Sequence, residues 1–214
     1  MTPERFEKAL SNVRKFEIEG IVVIGGDGSL RGAQKLTEAG VPCVGLPASI
    51  DNDIRGTYQA IGVDTATETI LEAIDKIKDT ASAHERAFVI EVMGRRSGYL
   101  ALAAGVAGGA EMVVVPEEPI TVEVILEAMK QAHKRGKPHF IMVVAEGATL
   151  KATDICNAIN DSTAVGFEAR LTVLGHVQRG GTPSATDRLL ATRLGYEAVQ
   201  SLVSGNSGVM IGVG

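Results

Sequence analysis

The 214-residue chain is poor in aromatic side chains: it has no tryptophan, three tyrosines and five phenylalanines, against a hydrophobic content of 45%. Its core must be packed from valine, isoleucine, leucine and alanine. Cysteine is scarce too. Cys43 and Cys156 lie far apart and neither has a CxxC partner, so the chain offers no disulfide framework and no CxxC metal or redox motif. With no signal peptide in view, the expected location is a reducing cytoplasm. Basic tracts are missing, and the formal net charge is −5. That balance argues against a general nucleic-acid binder, although arginines gathered locally still hold anions on a net-acidic protein. Nor is there a membrane-length run. The longest apolar stretch, Tyr99–Ala110, falls short of the ~18 residues a span needs, and it reads as a buried helix.

What the chain does have is glycine, 25 residues of it, set between short apolar runs. Ile21–Ile24 leads into the glycine turn Gly25-Gly26-Asp27-Gly28-Ser29. A short helix over Leu30–Glu38 follows. A second apolar run then ends in Pro47-Ala48-Ser49-Ile50-Asp51-Asn52-Asp53. Open parallel sheets bind ligands at such turns, at the carboxyl ends of their strands. Gly25, Gly26 and Gly28 let backbone approach a phosphate chain. Ser29 is placed to cap the helix, whose N-terminus favours an anion. Asp27 would repel a phosphate without a cation between them, so it reads as a magnesium-side ligand. Asp51 or Asp53 can act as general base towards a hydroxyl. Together these parts point to phosphoryl transfer from a nucleotide. The residues alone also leave plainer readings open: a tight glycine turn, and an Asx-turn over Asp51-Asn52-Asp53.

The rest of the chain keeps this rhythm. Residues 3–18 predict a helix with Phe6, Leu10, Val13 and Phe16 on one face, ended by Gly20. Continuous apolar runs at Ala87–Val92, Met112–Val115, Phe140–Ala145 and Leu171–Leu174 predict parallel strands covered on both faces. Further helices are predicted over 65–82, with Thr65 and Glu68 as a capping box, over 121–135, stopped by Gly136, and over 184–203. The expected fold is α/β, with two lobes: residues 1–62 together with 183–214, and residues 63–182. Each lobe is expected to be a parallel-sheet, Rossmann-like sandwich. The chain opens on a helix and closes on a strand just beginning at Gly208–Gly212, so both ends read as incomplete. His84, His133 and His139 show no ligand spacing and read as surface or turn residues.

The two stretches Gly25–Ser29 and Pro47–Asp53 are joined by Met93-Gly94-Arg95, Ala145-Glu146-Gly147 and Leu174-Gly175-His176-Val177-Gln178-Arg179-Gly180-Gly181. In this order and at this approximate spacing they resemble the signatures of the bacterial ATP-dependent 6-phosphofructokinases, across essentially the whole chain. The turn GGDG alone would not separate that family from NAD kinases or diacylglycerol kinases; the combination does. The resemblance implies transfer of the ATP γ-phosphoryl group to the 1-hydroxyl of fructose 6-phosphate, with Mg2+. It makes Asp51 the proton-abstracting base, with Asp53 beside it, and puts Ser49 where the family usually has threonine. Arg95 matches a transition-state contact able to neutralise the moving phosphoryl group. Gly26, Gly28, Ser29 and Gly32 match nucleotide contacts, and Asp27 matches the magnesium-associated carboxylate. Met93, Gly94 and Glu146 match sugar contacts. Arg86, Arg170, His176 and Arg179 match the cluster that holds the sugar 6-phosphate, where arginine forks suit phosphate oxygens.

The resemblance also implies an assembly. The family's counterparts of Arg86 and Arg170 come from a neighbouring subunit, so a homo-oligomer is expected, typically a tetramer. Lys78, Glu111, Arg135 and Lys137 match effector positions for ADP or phosphoenolpyruvate. Lys78 stands where arginine is common and lacks its bidentate geometry. Arg135 and Lys137 also fit a plainer role, complementing a helix dipole. Pyrophosphate-dependent members carry Asp and Lys at the positions of Gly28 and Ala48, so ATP is the expected donor. The family's opening strand and first glycine turn are not seen in this chain, and its closing segment reads as shortened. Three rival readings stand: a pyrophosphate-dependent enzyme, an NAD kinase, and a non-catalytic sugar-phosphate-binding or regulatory protein. The cluster of Arg86, Arg170, His176 and Arg179 speaks against the NAD kinase.

Overall fold

The computed structural model describes residues 2–81 and 86–214. In chain order the elements are α1 (Pro3–Lys15), β1 (Ile21–Gly25), α2 (Asp27–Glu38), β2 (Cys43–Pro47), α3 (Val63–Ala81), β3 (Arg86–Val92), α4 (Tyr99–Ala107), β4 (Met112–Val114), α5 (Val122–Lys134), β5 (His139–Ala145), α6 (Ala152–Asp161), β6 (Glu168–Val173), a 3-10 turn (Gly175–Arg179), α7 (Ala185–Val203) and β7 (Val209–Met210). They form two units. The first takes Met1–Ser49, Ile54–Gly62 and Pro183–Gly214; the second takes Ile50–Asp53 and Val63–Thr182. The carboxylate loop Ile50–Asp53 thus groups with the second unit, while its flanks belong to the first.

In the first unit the strands run parallel in the order β1-β2-β7. Ile21 lies opposite Cys43, and Val44 opposite Val209. Side chains alternate between faces along a strand, and helices cover both faces here. Cys43 packs with Leu10, Ala33 and Val41 under α1 and α2. Its neighbour Val44, with Leu46, packs against Leu194 and Ala198 of α7. Burial on both faces is why β2 reads as an unbroken apolar run.

The second unit has a parallel sheet in the order β4-β5-β3-β6. On one face Val89, Met142, Val144 and Ala169 pack with Ile125 and Met129 of α5 and Ile155 and Ile159 of α6. Helices α3 and α4 lie against β3, β4 and β5, with Ile70, Ile74, Leu100, Ala101 and Ala104 buried. The stretch after Gly98 is only half-buried, contrary to the sequence reading: Leu102 and Val106 are 52% and 71% exposed. Among the described residues, no helix is long and apolar enough to cross a membrane.

Several helix starts and stops differ from the sequence reading, most informatively in α1, α2 and α3. Helix α1 ends at Lys15, before Gly20, through Glu17, which adopts a left-handed φ of 52°. Ile18 N donates to the Val13 carbonyl and Glu17 N to that of Arg14. These are the two bonds of a Schellman ending, usually built on glycine. Helix α2 begins at Asp27 with Gly26 as N-cap, so Ser29 lies inside the first turn and does not cap it. Helix α3 begins at Val63, which places Thr65 within the helix rather than at its cap. Residue 82, the expected end of that helix, and His84 lie outside the described residues. His139 opens β5 instead of occupying a turn, and His133 stacks edge-on against Phe167 at 5.3 Å.

Candidate active site

In the first unit the turn after β1 and the turn after β2 touch. Ala48 N donates to the Gly25 carbonyl at 3.1 Å, and a methyl group on Gly26 would lie 3.7 Å from the Ser49 Cβ. Beyond Gly26, the first turns of α2 line an open hollow of about 720 Å3 with Val23, Gly28, Ser29, Arg31 and Gly32. A Cβ at Gly28 or Gly32 would meet nothing within 4 Å. The fold itself therefore accepts a side chain at both positions.

Asp27 opens α2, and its Oδ1 accepts from Arg31 Nε at 3.0 Å, with both side chains largely exposed. Among the described residues, no group of three or more His, Cys, Asp or Glu side chains could hold a metal ion. Magnesium seldom needs such a cage: one or two carboxylates with substrate phosphates and water suffice. The exposed Asp27 carboxylate fits that kind of site.

In the second unit the carboxyl ends of β3, β5 and β6 gather three loops. The β3–β5 ladder runs on through Glu146 N to the Val92 carbonyl, 2.8 Å. The Glu146 carboxylate then turns back and accepts from Arg95 N at 2.8 Å and Gly94 N at 3.3 Å. This clamp holds an unusual loop. Arg95 has a left-handed φ of 53° and Gly94 a φ of 148°. A Cβ on Gly94 would strike the Ser97 carbonyl, and one on Gly147 would strike the Arg95 carbonyl. Both glycines are therefore required by backbone packing. On the β6 side, the buried Gln178 accepts from Met93 N at 3.1 Å and donates to the Gly175 carbonyl at 2.9 Å.

Asp51 completes the group. Burial pushes its carboxyl above the ordinary aspartate value, and the nearby charge of Asp53 adds to this. Arg95 pulls it back down, Glu146 raises it further, and Arg179 lowers it. The structure thus brings Asp51, Asp53, Arg95, Glu146 and Arg179 into one electrostatic neighbourhood. A carboxylate with raised proton affinity, set beside two arginines, is equipped to take a proton while anionic oxygens are neutralised next to it.

Other expected site residues lie elsewhere. Arg86 and Arg170 share one carboxylate: Glu168 Oε1 meets Arg170 Nη2 at 2.6 Å, and Oε2 meets Arg86 Nε at 3.9 Å. Arg86 opens β3, whereas Met93-Gly94-Arg95 follows its end. A strand of that length runs about 20 Å. A single chain therefore does not bring Arg86 to Arg95 and its neighbours. His176 is exposed on the 3-10 turn. Among the expected effector positions, Lys137 Nζ pairs with Glu111 Oε1 at 3.0 Å, and Glu111 Oε2 accepts from Ile141 N at 2.7 Å. Lys78 Nζ donates to the Gly108 carbonyl. Arg135 is the exposed C-cap of α5. The sequence reading assigns no role to three buried polar residues, Gln178, Ser184 and Asp187. Asp187 accepts from Gly62 N at 2.8 Å and lies 2% exposed at the start of α7.

The family model described as Phosphofructokinase matches residues 1–202. A protein of Bacillus mycoides (strain KBAB4) named ATP-dependent 6-phosphofructokinase is 55% identical over 211 residues, which is 99% of this chain. A namesake of Bacillus thuringiensis (strain Al Hakam) is 54% identical over the same length. The chain spans 65% of the length of these curated relatives. Among solved structures, phosphofructokinase from Saccharomyces cerevisiae superposes with a TM-score of 0.90 at 36% identity, covering 99% of this chain and 33% of that one. A pyrophosphate-dependent phosphofructokinase from Marinobacter aquaeolei gives 0.81 at 28% identity, covering 96% and 57%.

Proposed function

The chain belongs to the phosphofructokinase family, and from that premise we propose that it transfers the γ-phosphoryl group of ATP to the 1-hydroxyl of fructose 6-phosphate, a glycolytic kinase reaction. The observation that carries the proposal is the cluster around Asp51, whose raised proton affinity comes from burial and neighbouring carboxylates. Asp51 accepts the hydroxyl proton as the new O–P bond forms and the bond to the leaving ADP oxygen breaks. Arg95 neutralises the transferring oxygens, and Asp53 and Ser49 flank the base. Met93, Gly94 and Glu146 hold the sugar. His176 and Arg179 take its 6-phosphate, with Arg86 and Arg170 supplied by a second copy in a homo-oligomer, a tetramer in our reading. The separation of Arg86 from the Arg95 loop along β3 supports that sharing.

Gly26, Gly28, Ser29 and Gly32 receive the nucleotide phosphates. Glycines cost a helix roughly 0.5–1 kcal/mol each relative to alanine. Two at positions where α2 has room for side chains are accounted for by a ligand that must come close. Asp27 would hold Mg2+, which shields the phosphates and neutralises developing charge when bound. ATP is favoured over pyrophosphate because Gly28 and Ala48 lack the Asp and Lys of pyrophosphate-dependent members. Lys78, Glu111, Arg135 and Lys137 are proposed to bind an ADP or phosphoenolpyruvate effector, and a cytoplasmic location fits the chemistry.

A coupled assay for fructose 1,6-bisphosphate, with ATP and then pyrophosphate as donor, tests the reading. Product from ATP alone is expected. Product from pyrophosphate alone would move the donor assignment. Binding of fructose 6-phosphate without turnover from either donor would favour the non-catalytic reading.

A further inference from the structure

We infer that Gln178 is a positioning residue: its buried side-chain amide replaces a missing rung of the β3–β6 ladder and so fixes the Met93–Arg95 loop against the Gly175–Arg179 turn. The consequence for substrate binding rests on the proposed function, which assigns both segments to the sugar phosphate; the geometry does not.

Glu91 lies opposite Val173 in the parallel pairing of β3 and β6, and Leu174 N donates to the Glu91 carbonyl at 3.1 Å. In a parallel ladder the next rung runs from Met93 N back to the Leu174 carbonyl. The chain turns out of the strand at Gly175, whose φ is 54°, and that rung is lost. Gln178 Oε1 accepts from Met93 N instead, at 3.1 Å. Its Nε2 donates to the carbonyl of Gly175 at 2.9 Å, locking the 3-10 turn to the same side chain. The amide orientation follows from its partners: only the oxygen can face an N–H, and only the nitrogen can face a carbonyl. Gln178 is 1% exposed, so it is a core residue rather than a substrate contact. Its next residue is Arg179, and one residue beyond Met93 the Glu146 clamp begins. The loop is thus held from β5 by Glu146 and from β6 by Gln178.

This predicts which side chains will serve. Methionine has similar length but neither hydrogen-bonding group. Glutamate in its neutral form keeps one acceptor and one donor, whereas its ionised form cannot donate. Burial disfavours the ionised form.

The test uses the whole chain as wild type, Gln178→Met and Gln178→Glu. Fructose 6-phosphate and ATP affinities are measured by calorimetry, and amide exchange is measured at Met93 without ligand, between about pH 5 and 8. Wild type and Gln178→Met over the same range correct for titration of Asp51, Asp53, Glu91, Glu146 and His176. Misplacement of a binding loop commonly costs on the order of tenfold to a hundredfold. Gln178→Met is expected to lose fructose 6-phosphate affinity by that factor, keep ATP affinity and exchange Met93 faster. Gln178→Glu is expected to follow wild type at the acid end and Gln178→Met at the alkaline end. Wild-type sugar-phosphate affinity and Met93 protection in folded Gln178→Met would overturn the inference, as would equal loss of both ligands. If Gln178→Met does not fold, the pH course of Gln178→Glu decides: a flat course overturns it. If wild type itself binds no fructose 6-phosphate, the proposed function fails, and Met93 exchange alone then judges the role of Gln178.

Discussion

Asp51 is held above the ordinary aspartate value chiefly by burial and by Asp53, and this has a sign in stability. The folded state favours the neutral acid. The favourable contribution present at low pH is therefore lost as pH rises from the unfolded value near 3.9 through the folded one. At neutral pH the ionised carboxylate destabilises the fold. Asp51→Asn is expected to raise Tm at pH 7, with the gain shrinking towards pH 4, and to lower turnover by ~10²–10⁴. Thermal melts at both pH values and the coupled assay check the two halves. Gly28→Asp tests the nucleotide turn. A side chain there meets no atom of the fold, and a carboxylate in the first turn suits the helix dipole. The variant should fold and bind fructose 6-phosphate normally while losing ATP affinity, as calorimetry would show. Burial also pushes up the thiols of Cys43 and Cys156, against the opposing pull of the Thr37 hydrogen bond and the Arg170 charge respectively. Both should resist alkylation at pH 8 in the native protein and react on unfolding.

At the scale of elements, helix α1 carries the clearest local cost. Its left-handed closing residue is Glu17, while α2 and α5 close on Gly40 and Gly136 with the same pair of backbone bonds. A left-handed L-residue costs about 1–2 kcal/mol, partly offset because glycine loses more freedom on folding. Glu17→Gly is therefore expected to stabilise by about 1 kcal/mol, roughly 2–4 °C in Tm, and a melt decides. The same helix shows why ends were hard to read. Its apolar spacing continues to Phe16, but the geometry at Glu17 leaves Phe16 65% exposed. Strands were legible where both faces are covered, as in β2 and β5, because burial on two sides leaves an unbroken apolar run. Helix α6 is absent from the sequence reading, although Ala152, Ile155, Cys156 and Ile159 repeat at helical spacing and are all buried. The types of residue at the candidate site were legible as motifs. The roles of Gln178 and of the Glu146 carboxylate were not, because they depend on where β6 stops and how the β3 loop bends.

At the scale of the molecule, β3 sets Arg86 at one end and the Arg95 loop at the other. If copies share sites, Arg86→Ala and Arg179→Ala should each be nearly inactive as pure proteins. Mixed after dissociation and reassembly, they should regain up to about a quarter of the wild-type rate, since one site in four then draws both intact halves. No recovery on mixing would count against shared sites. The division of the chain has a further consequence, for its birth. The second unit is almost contiguous, whereas the first needs both Met1–Ser49 and Pro183–Gly214. Val44 and Leu46 find their partners on α7 only after the whole of Val63–Thr182 has been made. Chains are synthesised at about 5–20 residues per second. On the ribosome, the face of the β1–β2 pair that carries Val44 and Leu46 thus waits uncovered for several seconds while the later-made unit closes ahead of it. That interval is when an apolar parallel strand pair most needs a chaperone.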